Sequence, residues 1–598
     1  MTTPTPAATA PRRGFLDWIE WAGNKLPEPA LLFALLATIV VVLSAIGSAM
    51  DWQVQPVKPV VVTEAVVQAD GSTIQQPVLD ERGRPEIRLE DSGAPIEPRS
   101  LLTVDGIYWM LASMLRNFAQ MPALPLIFAA MLGIGVAEKF GFFSALMRWL
   151  ALLTPKKLLT PAVVFIGANS SVASDAGYII LPPLAAALYL AVGRHPIAGL
   201  AAAFAGVAGG FGAGFFPTGG DGVLTGFAQD AARVIDPGYT VSILHNAYFK
   251  GASAVVVMLG GWFVTDVIVE PRLMRLHNDE LQRGDTKAMH EMALTRPERK
   301  ALFVSIGAAA LVLGAFLALI VTPGAPLHGD GQQTLPNGRV LTTQAATVLP
   351  AGAAVEEARQ ADVLAVEPLT VIAEGTPRLS EAPGPRWAQV IVPVILIVFL
   401  LPGLVYGALT GQIKGQADVA DSLMHGIRSI VPVLVILFFL AQFVAYMGYS
   451  GFDRMLAYAG GSVLFNADMP IPVLIVAFVL VVVFGDFAMS GMLSKFGVLA
   501  PIFIPMFMIV GMSPELTTAA YRIGDSVVNI VTPLNSYALI ILAVFQKYRP
   551  KAGLGSLIAL MIPYSIVLGI VWTALLVGWY FTGSELGPGA PLYYVPGG

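Results

Sequence analysis

The stretch YRIGDSVVNIVTPLN (521–535) places charged and amide side chains inside an otherwise apolar run. Arg522 and Asp525 can each carry a full charge, and Asn529 adds an amide. Pro533 interrupts any helix that contains it. A charged side chain inside a membrane costs about 2.5–3.5 kcal/mol on insertion scales, and such residues usually line a site for an ion or a polar molecule. Asp525 is therefore either an ion ligand or the structural partner of Arg522, three residues earlier on one helical face.

Three further apolar stretches are interrupted by small and polar residues in the same way. They read GANSSVASDAG (167–177), GGFGAGFFPTGGDG (209–222) and GDFAMSGMLSKFG (485–497). At a helix break, unpaired carbonyls can coordinate a cation and free amides can bind an anion. Carboxylate and amide oxygens complete the cage of a hard ion such as Na⁺. The candidate ion ligands are Asp175, Asp486, Asp525 and Asn529, and the candidate substrate ligands at these breaks are Asn169, Ser174, Asp175 and Asp221.

Two of the charged residues have structural alternatives. Asp221 lies among glycines, and it either takes part in the site or faces water at the outer surface. Lys495 either pairs with Asp486, extends its ammonium toward the membrane surface, or contacts a substrate.

The composition identifies the environment of these groups. Of 598 residues, 56% are hydrophobic and only 13% are charged, against about 25% charged in a soluble domain. The chain is therefore an integral membrane protein. It contains no cysteine, which excludes disulfides and thiolate metal sites, and its net charge of −5 gives no reason to expect a nucleic-acid partner.

The distribution of apolar runs predicts an all-α polytopic fold with nine transmembrane helices and two re-entrant hairpins. The predicted spans are 29–49, 119–138, 197–216, 248–269, 301–321, 388–409, 430–448, 514–545 and 555–581. If the short loops rich in Lys and Arg lie in the cytoplasm, two apolar stretches must each enter and leave the membrane on the same side. These stretches, residues 162–191 and 471–510, are the predicted re-entrant hairpins. No cleavage site follows the N-terminus, so the first helix is expected to be retained. The N-terminus is then cytoplasmic and the C-terminus extracytoplasmic.

The same topology divides the chain into segments. They are a cytoplasmic N-terminus (1–28), a first helix (29–50), an extracytoplasmic insert (51–100), a first membrane half (101–270), a cytoplasmic loop (271–300), a helix (301–322), a second extracytoplasmic insert (323–386), a second membrane half (387–582) and an extracytoplasmic C-terminus (583–598). The inserts contain strand-like pieces and either fold together as a cap or are partly disordered. Residues 101–118 are typical of an amphipathic helix.

The two membrane halves repeat one pattern, but the first hairpin is predicted to enter the membrane from the cytoplasmic side and the second from the outer side. Each contains a hairpin with a small-residue break, followed about 40 residues later by an interrupted span. Paired broken helices in inverted halves are typical of a secondary-transporter site at the membrane midplane.

The segments SDAGYIILPPLAAALYLAVGRHPIAGLAAAFAGVAGGF (174–211) and APIFIPMFMIVGMSPELTTAAYRIGDSVVNIVTPLNSY (500–537) resemble the p-aminobenzoyl-glutamate transporter (AbgT) family of the ion transporter superfamily. The resemblance covers the membrane part of the chain and implies a homodimer in the bacterial inner membrane. It implies ion-coupled movement of p-aminobenzoyl-glutamate, or export of sulfonamide-type antimetabolites. It also assigns places along the transport path to Asp175, Pro514, Arg522, Asp525 and Pro533.

The chain departs from the family pattern at three places. A Ser-x-x-Trp pair of the family corresponds here to Leu493 and Phe496, with Ser494 shifted by one position, so Ser494 and Phe496 become candidate substrate ligands. Family members often have Asn at the position of Asp486, and Ser-Ala-Asn at 212–214. Asp486 and Asp525 are expected to share a site that binds Na⁺ or a proton, since two close carboxylates cannot both stay ionised alone.

These observations predict a secondary active transporter of a small aromatic carboxylate, coupled to Na⁺ or H⁺, with Arg522 as the partner of the substrate carboxylate. A transporter of a different, dicarboxylate-like anion is the first alternative, and a channel or a membrane-embedded enzyme are others. The sequence has no His-Glu-x-x-His, Gly-x-Ser-x-Gly or Walker-type motif, so an enzyme, a structural metal, a bound cofactor and a primary pump are not expected.

Overall fold

A computed structural model describes most of the apolar part of the chain and pieces of both polar inserts. The described residues are 29–67, 73–78, 87–121, 123–173, 176–276, 293–328, 332–334, 340–342, 378–379, 386–486, 489, 491–535 and 537–594.

Apolar helices form most of the first half. In chain order they are α1 Pro29–Ala49, α2 Val104–Ala119, α3 Ala123–Lys139, α4 Phe142–Leu153, α5 Leu159–Asn169, α6 Ala176–Ala191, α7 Pro196–Val207, α8 Gly219–Ala232, α9 Ala247–Phe263, α10 Glu270–Leu276 and α11 Arg296–Val321. A π-helical segment, Val264–Val269, joins α9 to α10. Thr295 begins α11 with a capping box, in which its hydroxyl and the Glu298 side chain satisfy free backbone amides.

Helices also form most of the second half. They are α12 Arg386–Gln389, α13 Ile391–Leu409, α14 Gln416–Ser450, α15 Phe452–Asn466, α16 Ile471–Asp486, α17 Met492–Ile509, α18 Pro514–Asn529, α19 Ala538–Tyr548 and α20 Leu554–Thr582.

The lengths of these helices agree with a chain that crosses a membrane many times. Among the described residues, eight helices are long and apolar enough to span a bilayer. The number is nine if α4 and the segment Lys156–Val172, which are bent by 117° at their junction, count as one span.

Two of the predicted spans are each interrupted by a break. The span predicted at 514–545 is divided into α18 and α19, and α19 ends at Tyr548. The span predicted at 197–216 is helical only to Val207, where α7 ends, and a new helix, α8, begins at Gly219, beyond the predicted end at 216. The reason is local, since Thr218 and Asp221 form a capping box that starts a new helix directly after the break.

The polar inserts form short antiparallel ladders. The strand β1 Val57–Val61 pairs with β4 Ile87–Asp91, β2 Thr63–Val67 pairs with β3 Thr73–Pro77, and β5 Gln332–Thr334 lies between β6 Val340–Thr342 and β7 Arg378–Leu379. Within the described parts of the inserts, each strand pairs inside its own insert.

Glycines allow α3 to pack directly against two helices of the second half. A Cβ atom on Gly135 would collide with the backbone of Gly426 on α14. A Cβ atom on Gly133 would collide with the carbonyl of Leu396 on α13. Such small residues let helix backbones approach closely in membranes, where van der Waals packing drives association.

We predict that Gly135→Ala destabilises the protein by about 1–3 kcal/mol, because an added methyl group overpacks the contact between α3 and α14. Thermal unfolding of the purified protein in detergent would measure the effect. Gly314→Ala on α11 is the matched control, because its added Cβ meets nothing within 4 Å. Equal unfolding temperatures for the two variants would contradict the tight contact.

Candidate functional site

The helix α18 is polar, yet it is buried from Pro514 to Val528. Ser513 caps the N-terminal end of this helix, and its hydroxyl oxygen accepts a hydrogen bond from the amide of Leu516 at 3.1 Å. It packs against α16, α17, α8 and α20. Because water does not reach its side chains, the charges of Arg522 and Asp525 must be neutralised by groups on these neighbours.

Arg522 belongs to a cluster centred on the carboxylate of Asp221. Lys250 Nζ on α9 lies 2.6 Å from Asp221 Oδ2, and Arg522 Nη1 lies 2.7 Å from Asp221 Oδ1. The backbone amide of Thr218 also donates to Asp221 Oδ2, at 2.7 Å. These side chains are at most 8% exposed. One carboxylate is thus shared by two basic groups, so the cluster carries one positive charge in excess if all three groups are ionised.

Two further contacts fix this cluster to its surroundings. Arg522 Nε donates to Asn246 Oδ1 at 3.0 Å, and the Asn246 amide donates to the carbonyl of Glu515 at 2.9 Å. Lys250 Nζ also donates to the carbonyl of Phe216, at 3.3 Å. The ammonium of Lys250 therefore satisfies a carbonyl released by the first helix break.

Asp525 belongs to a second cluster, which has the opposite balance. Lys495 Nζ lies 2.9 Å from Asp525 Oδ1 and also contacts Asp486 Oδ1. The three side chains are at most 2% exposed. Here one cation is shared by two carboxylates, so the cluster carries one negative charge in excess if all three groups are ionised. Asp486 Oδ2 is buried and accepts no hydrogen bond from the part of the chain that the structure describes.

The start of α17 is held against α18 by Tyr521. Its hydroxyl donates to the carbonyl of Met492 at 2.5 Å, and Asp525 Oδ1 lies 3.4 Å away. The rings of Phe496 and Tyr521 are 4.5 Å apart between centroids. Gly491, directly before α17, has φ +88°, a conformation that other residues rarely adopt. The aromatic rings of Phe496 and Tyr521 therefore lie beside the second cluster.

Polar contacts also join the two helix breaks to α18. The amide of Gly212 donates to Ser526 Oγ at 2.8 Å, and a Cβ atom on Gly212 would lie only 2.7 Å from that oxygen. Position 212, where this chain departs from the family pattern, thus has room only for glycine, because the first break lies so close to α18. Asn529 donates to Asp525 Oδ2 at 3.2 Å, and Asn535 donates to the carbonyl of Asn529 at 2.8 Å.

Comparison with known proteins identifies the family. The AbgT transporter family model matches residues 14–349 and 360–594. The p-aminobenzoyl-glutamate transport protein of Escherichia coli (strain K12) is 31% identical over 573 residues, which cover 96% of each chain.

This chain belongs to the AbgT family.

Two solved structures are similar to nearly the whole of this AbgT-family chain. The YdaH transporter of Alcanivorax borkumensis has a TM-score of 0.73 and 30% identity, and the match covers 94% of this chain and 100% of that one. MtrF of Neisseria gonorrhoeae, described as illuminating a class of antimetabolite efflux pumps, has a TM-score of 0.75 and 34% identity over 97% of this chain and 100% of its own.

The structure brings most of the sequence-predicted site residues around α18. Those in or beside the two clusters are Asp221, Asp486, Ser494, Phe496, Arg522, Asp525 and Asn529. Pro514 is the first residue of α18, and Pro533 lies in the break that follows it. Asn169 ends α5 and accepts a hydrogen bond from the amide of Phe215 at 3.0 Å. Ser174 and Asp175 lie outside the described residues.

Two structural alternatives considered for single residues were wrong. The partner of Asp525 is Lys495 on α17 rather than Arg522, and Arg522 pairs instead with Asp221 on α8. Asp221 is 1% exposed and does not face water. The alternative in which Lys495 pairs with Asp486 agrees with the structure.

Sequence reasoning missed Lys250, Asn246 and Tyr521. Lys250 carried a usable signal, since it is a lone ionisable residue near the start of the predicted span 248–269. Asn246 and Tyr521 carried none, because neutral polar residues are common next to and within membrane helices and their partners are distant in the chain.

In each cluster one residue, Asp221 or Lys495, pairs with both of the others, and replacing that residue should lower the stability of the protein most. We predict that Asp221→Asn and Lys495→Met each cost about 3–5 kcal/mol, because each leaves two like charges buried without a partner. Lys250→Met and Asp486→Asn should cost less, because each leaves a balanced pair. Thermal unfolding in detergent would rank the four variants.

Lys139→Met is the control for this ranking. The ion pair between Lys139 and Asp421 has a similar distance, 3.0 Å, but its side chains are 41% and 39% exposed. Exposed pairs contribute under about 1 kcal/mol. The assignment of shared charges is wrong if the four buried variants unfold at the same temperature as the control. It is also wrong if Lys250→Met and Asp486→Asn lower the unfolding temperature more than Asp221→Asn and Lys495→Met do.

Proposed function

We propose that this chain is a secondary active transporter that moves a small aromatic carboxylate, such as p-aminobenzoyl-glutamate, across the bacterial inner membrane. The observation that carries the proposal is the buried excess of one carboxylate around Lys495, next to a cluster with one excess cation. The first can take up a coupling cation, and the second can attract an anionic substrate. The name of the Escherichia coli relative supports the substrate class.

The coupling ion proposed is a proton. The ammonium of Lys495 already occupies the space between Asp486 and Asp525, so a metal cation there would be repelled. No group of three or more carboxylate or imidazole residues able to hold a metal occurs among the described residues. Asp486 Oδ2, which has no donor within the described structure, is the natural place for a proton. Na⁺ is the alternative, as a hard cation requiring several oxygen ligands.

The proposed architecture is a homodimer in which each subunit has two inverted halves with a re-entrant hairpin in each, and a cytoplasmic N-terminus. The short length of α5 supports the first hairpin, since 11 residues rise only about 16 Å, against roughly 30 Å of hydrocarbon. The division of α7 from α8 and of α18 from α19 supports a pair of broken helices. Alternating access would then move hairpins and broken helices against a dimerising scaffold.

Export of antimetabolites is the second candidate. The rings of Phe496 and Tyr521 can pack against an aromatic ring whether or not it carries a carboxylate, and the Neisseria gonorrhoeae relative is described with antimetabolite efflux pumps.

Counterflow of radiolabelled p-aminobenzoyl-glutamate in proteoliposomes, with pH and Na⁺ gradients imposed separately, tests the proposal. We predict uptake that follows the pH gradient and is lost in Asp525→Ala. Asp230→Asn, on α8 but outside both clusters, should transport as the native protein does. Na⁺ stimulation that survives both Asp486→Asn and Asp525→Asn would exclude these carboxylates as the coupling site. Absence of counterflow alongside saturable flux of sulfonamides would favour the second candidate.

A further inference from the structure

Lys495 occupies the position that a free cation would take between two buried carboxylates. It lies on α17, while Asp486 ends α16 and Asp525 lies on α18, so its ammonium bridges both arms of the predicted second hairpin and the broken helix. The side chain of Lys495 is 2% exposed and both carboxylates are fully buried. A covalently attached cation therefore neutralises one of the two carboxylates permanently.

The other titratable groups near Lys495 are already engaged. Tyr521 donates its hydroxyl to the carbonyl of Met492, and Arg522 and Lys250 share Asp221.

Titratable groups farther along the packed elements also lie outside the cluster. Glu515, toward the start of α18, accepts a hydrogen bond from Tyr239 at 2.8 Å. The ring of His245 is 2.7 Å from the carbonyl of Ser242. Asp230 on α8 and Asp453 on α15 line a small cavity whose lining includes no member of either cluster. The charge that varies near Lys495 is thus that of Asp486 and Asp525.

We propose that Lys495 is a tethered counter-ion that makes binding of one substrate carboxylate conditional on binding of one proton by Asp486 or Asp525. This inference rests on the function proposed above. With both carboxylates ionised, the negative excess around Lys495 balances the positive excess around Asp221, and the site attracts no anion. A proton from the bulk that adds to a carboxylate oxygen removes the negative excess. The two clusters together then carry one positive charge, which a substrate carboxylate neutralises.

Proton and carboxylate consequently travel in the same direction, one for one. The proton forms an O–H bond on one face of the membrane and leaves from the same oxygen on the other. The protonated site and one substrate carboxylate together carry no net charge, which matters in the membrane interior, where an unpaired charge is strongly disfavoured.

Equilibrium binding of radiolabelled p-aminobenzoyl-glutamate to the full-length protein in nanodiscs, from mildly acidic to mildly alkaline pH, tests this coupling. The ligand carboxylates stay ionised throughout, because such groups titrate at about pH 4. For the native protein, Kd should rise by about tenfold per pH unit on the alkaline side, as expected when one proton is linked to binding. In Asp486→Asn, which removes the negative excess for good, binding should stay tight and lose its pH dependence.

Asp230→Asn is the matched control, because it removes a carboxylate of α8 outside the two clusters, and it should keep the native pH dependence. If Asp486→Asn does not yield a monodisperse protein, Asp525→Asn serves instead, since it leaves Lys495 paired with Asp486. A native Kd that does not change with pH, or an Asn variant that keeps the native slope, overturns the inference. If either result occurs while uptake still follows the pH gradient, only the role of Lys495 as a tethered counter-ion is wrong. If counterflow is absent as well, the proposed transport function is also wrong.

Discussion

The structure depends on one constraint, that charges inside a protein embedded in lipid must be neutralised by other groups of the protein. On α18, Arg522 and Asp525 are one helical turn apart, and each is fully buried among other elements. The other members of their clusters lie on α8, α9, α16 and α17, which come from both halves of the chain. Buried ion pairs contribute little net stability, but losing one partner is costly, so they specify which elements meet. The clusters thereby hold α8, α9, α16 and α17 around α18.

The charges can meet only because the backbones around them approach closely. Gly212 brings the first break within hydrogen-bond distance of Ser526, and a Cβ atom on Gly220 would lie 2.8 Å from the end of Met492 at the tip of α17. An added side chain at Gly212 would meet Ser526 and the backbone of Arg522 on α18, and one at Gly220 would displace the end of the Met492 side chain. The small residues and the charged residues of the breaks therefore serve one arrangement. The glycines set the distances, and the ion pairs select the partners.

Much of this arrangement could be predicted from the sequence, because lipid imposes strong local rules. Apolar length indicated the long helices, and Gly, Pro and Asp in apolar runs indicated the breaks. Asp486, Arg522 and Asp525 stood out because charge is rare there. Pairing could not be predicted, because the partners of Asp221 are 29 and 301 residues away in the chain. The helical rule that paired Arg522 with Asp525 failed because it applies to exposed helices, whereas α18 is surrounded.

The opposite balances of the two clusters explain why such a site would use a coupling ion at all. Each cluster has one member on α18, Arg522 or Asp525, so a movement of that helix acts on both clusters at once. A site balanced in this way holds no surplus charge while empty. If it accepts an anion alone, a net negative charge enters a region of low dielectric, where electrostatic energies are largest. The least costly neutralisation is one additional proton on a carboxylate already present, since it requires no new cavity and no metal ligands. In the proposed function, coupling of cation to anion would follow from the same requirement for buried neutrality that holds the helices in place.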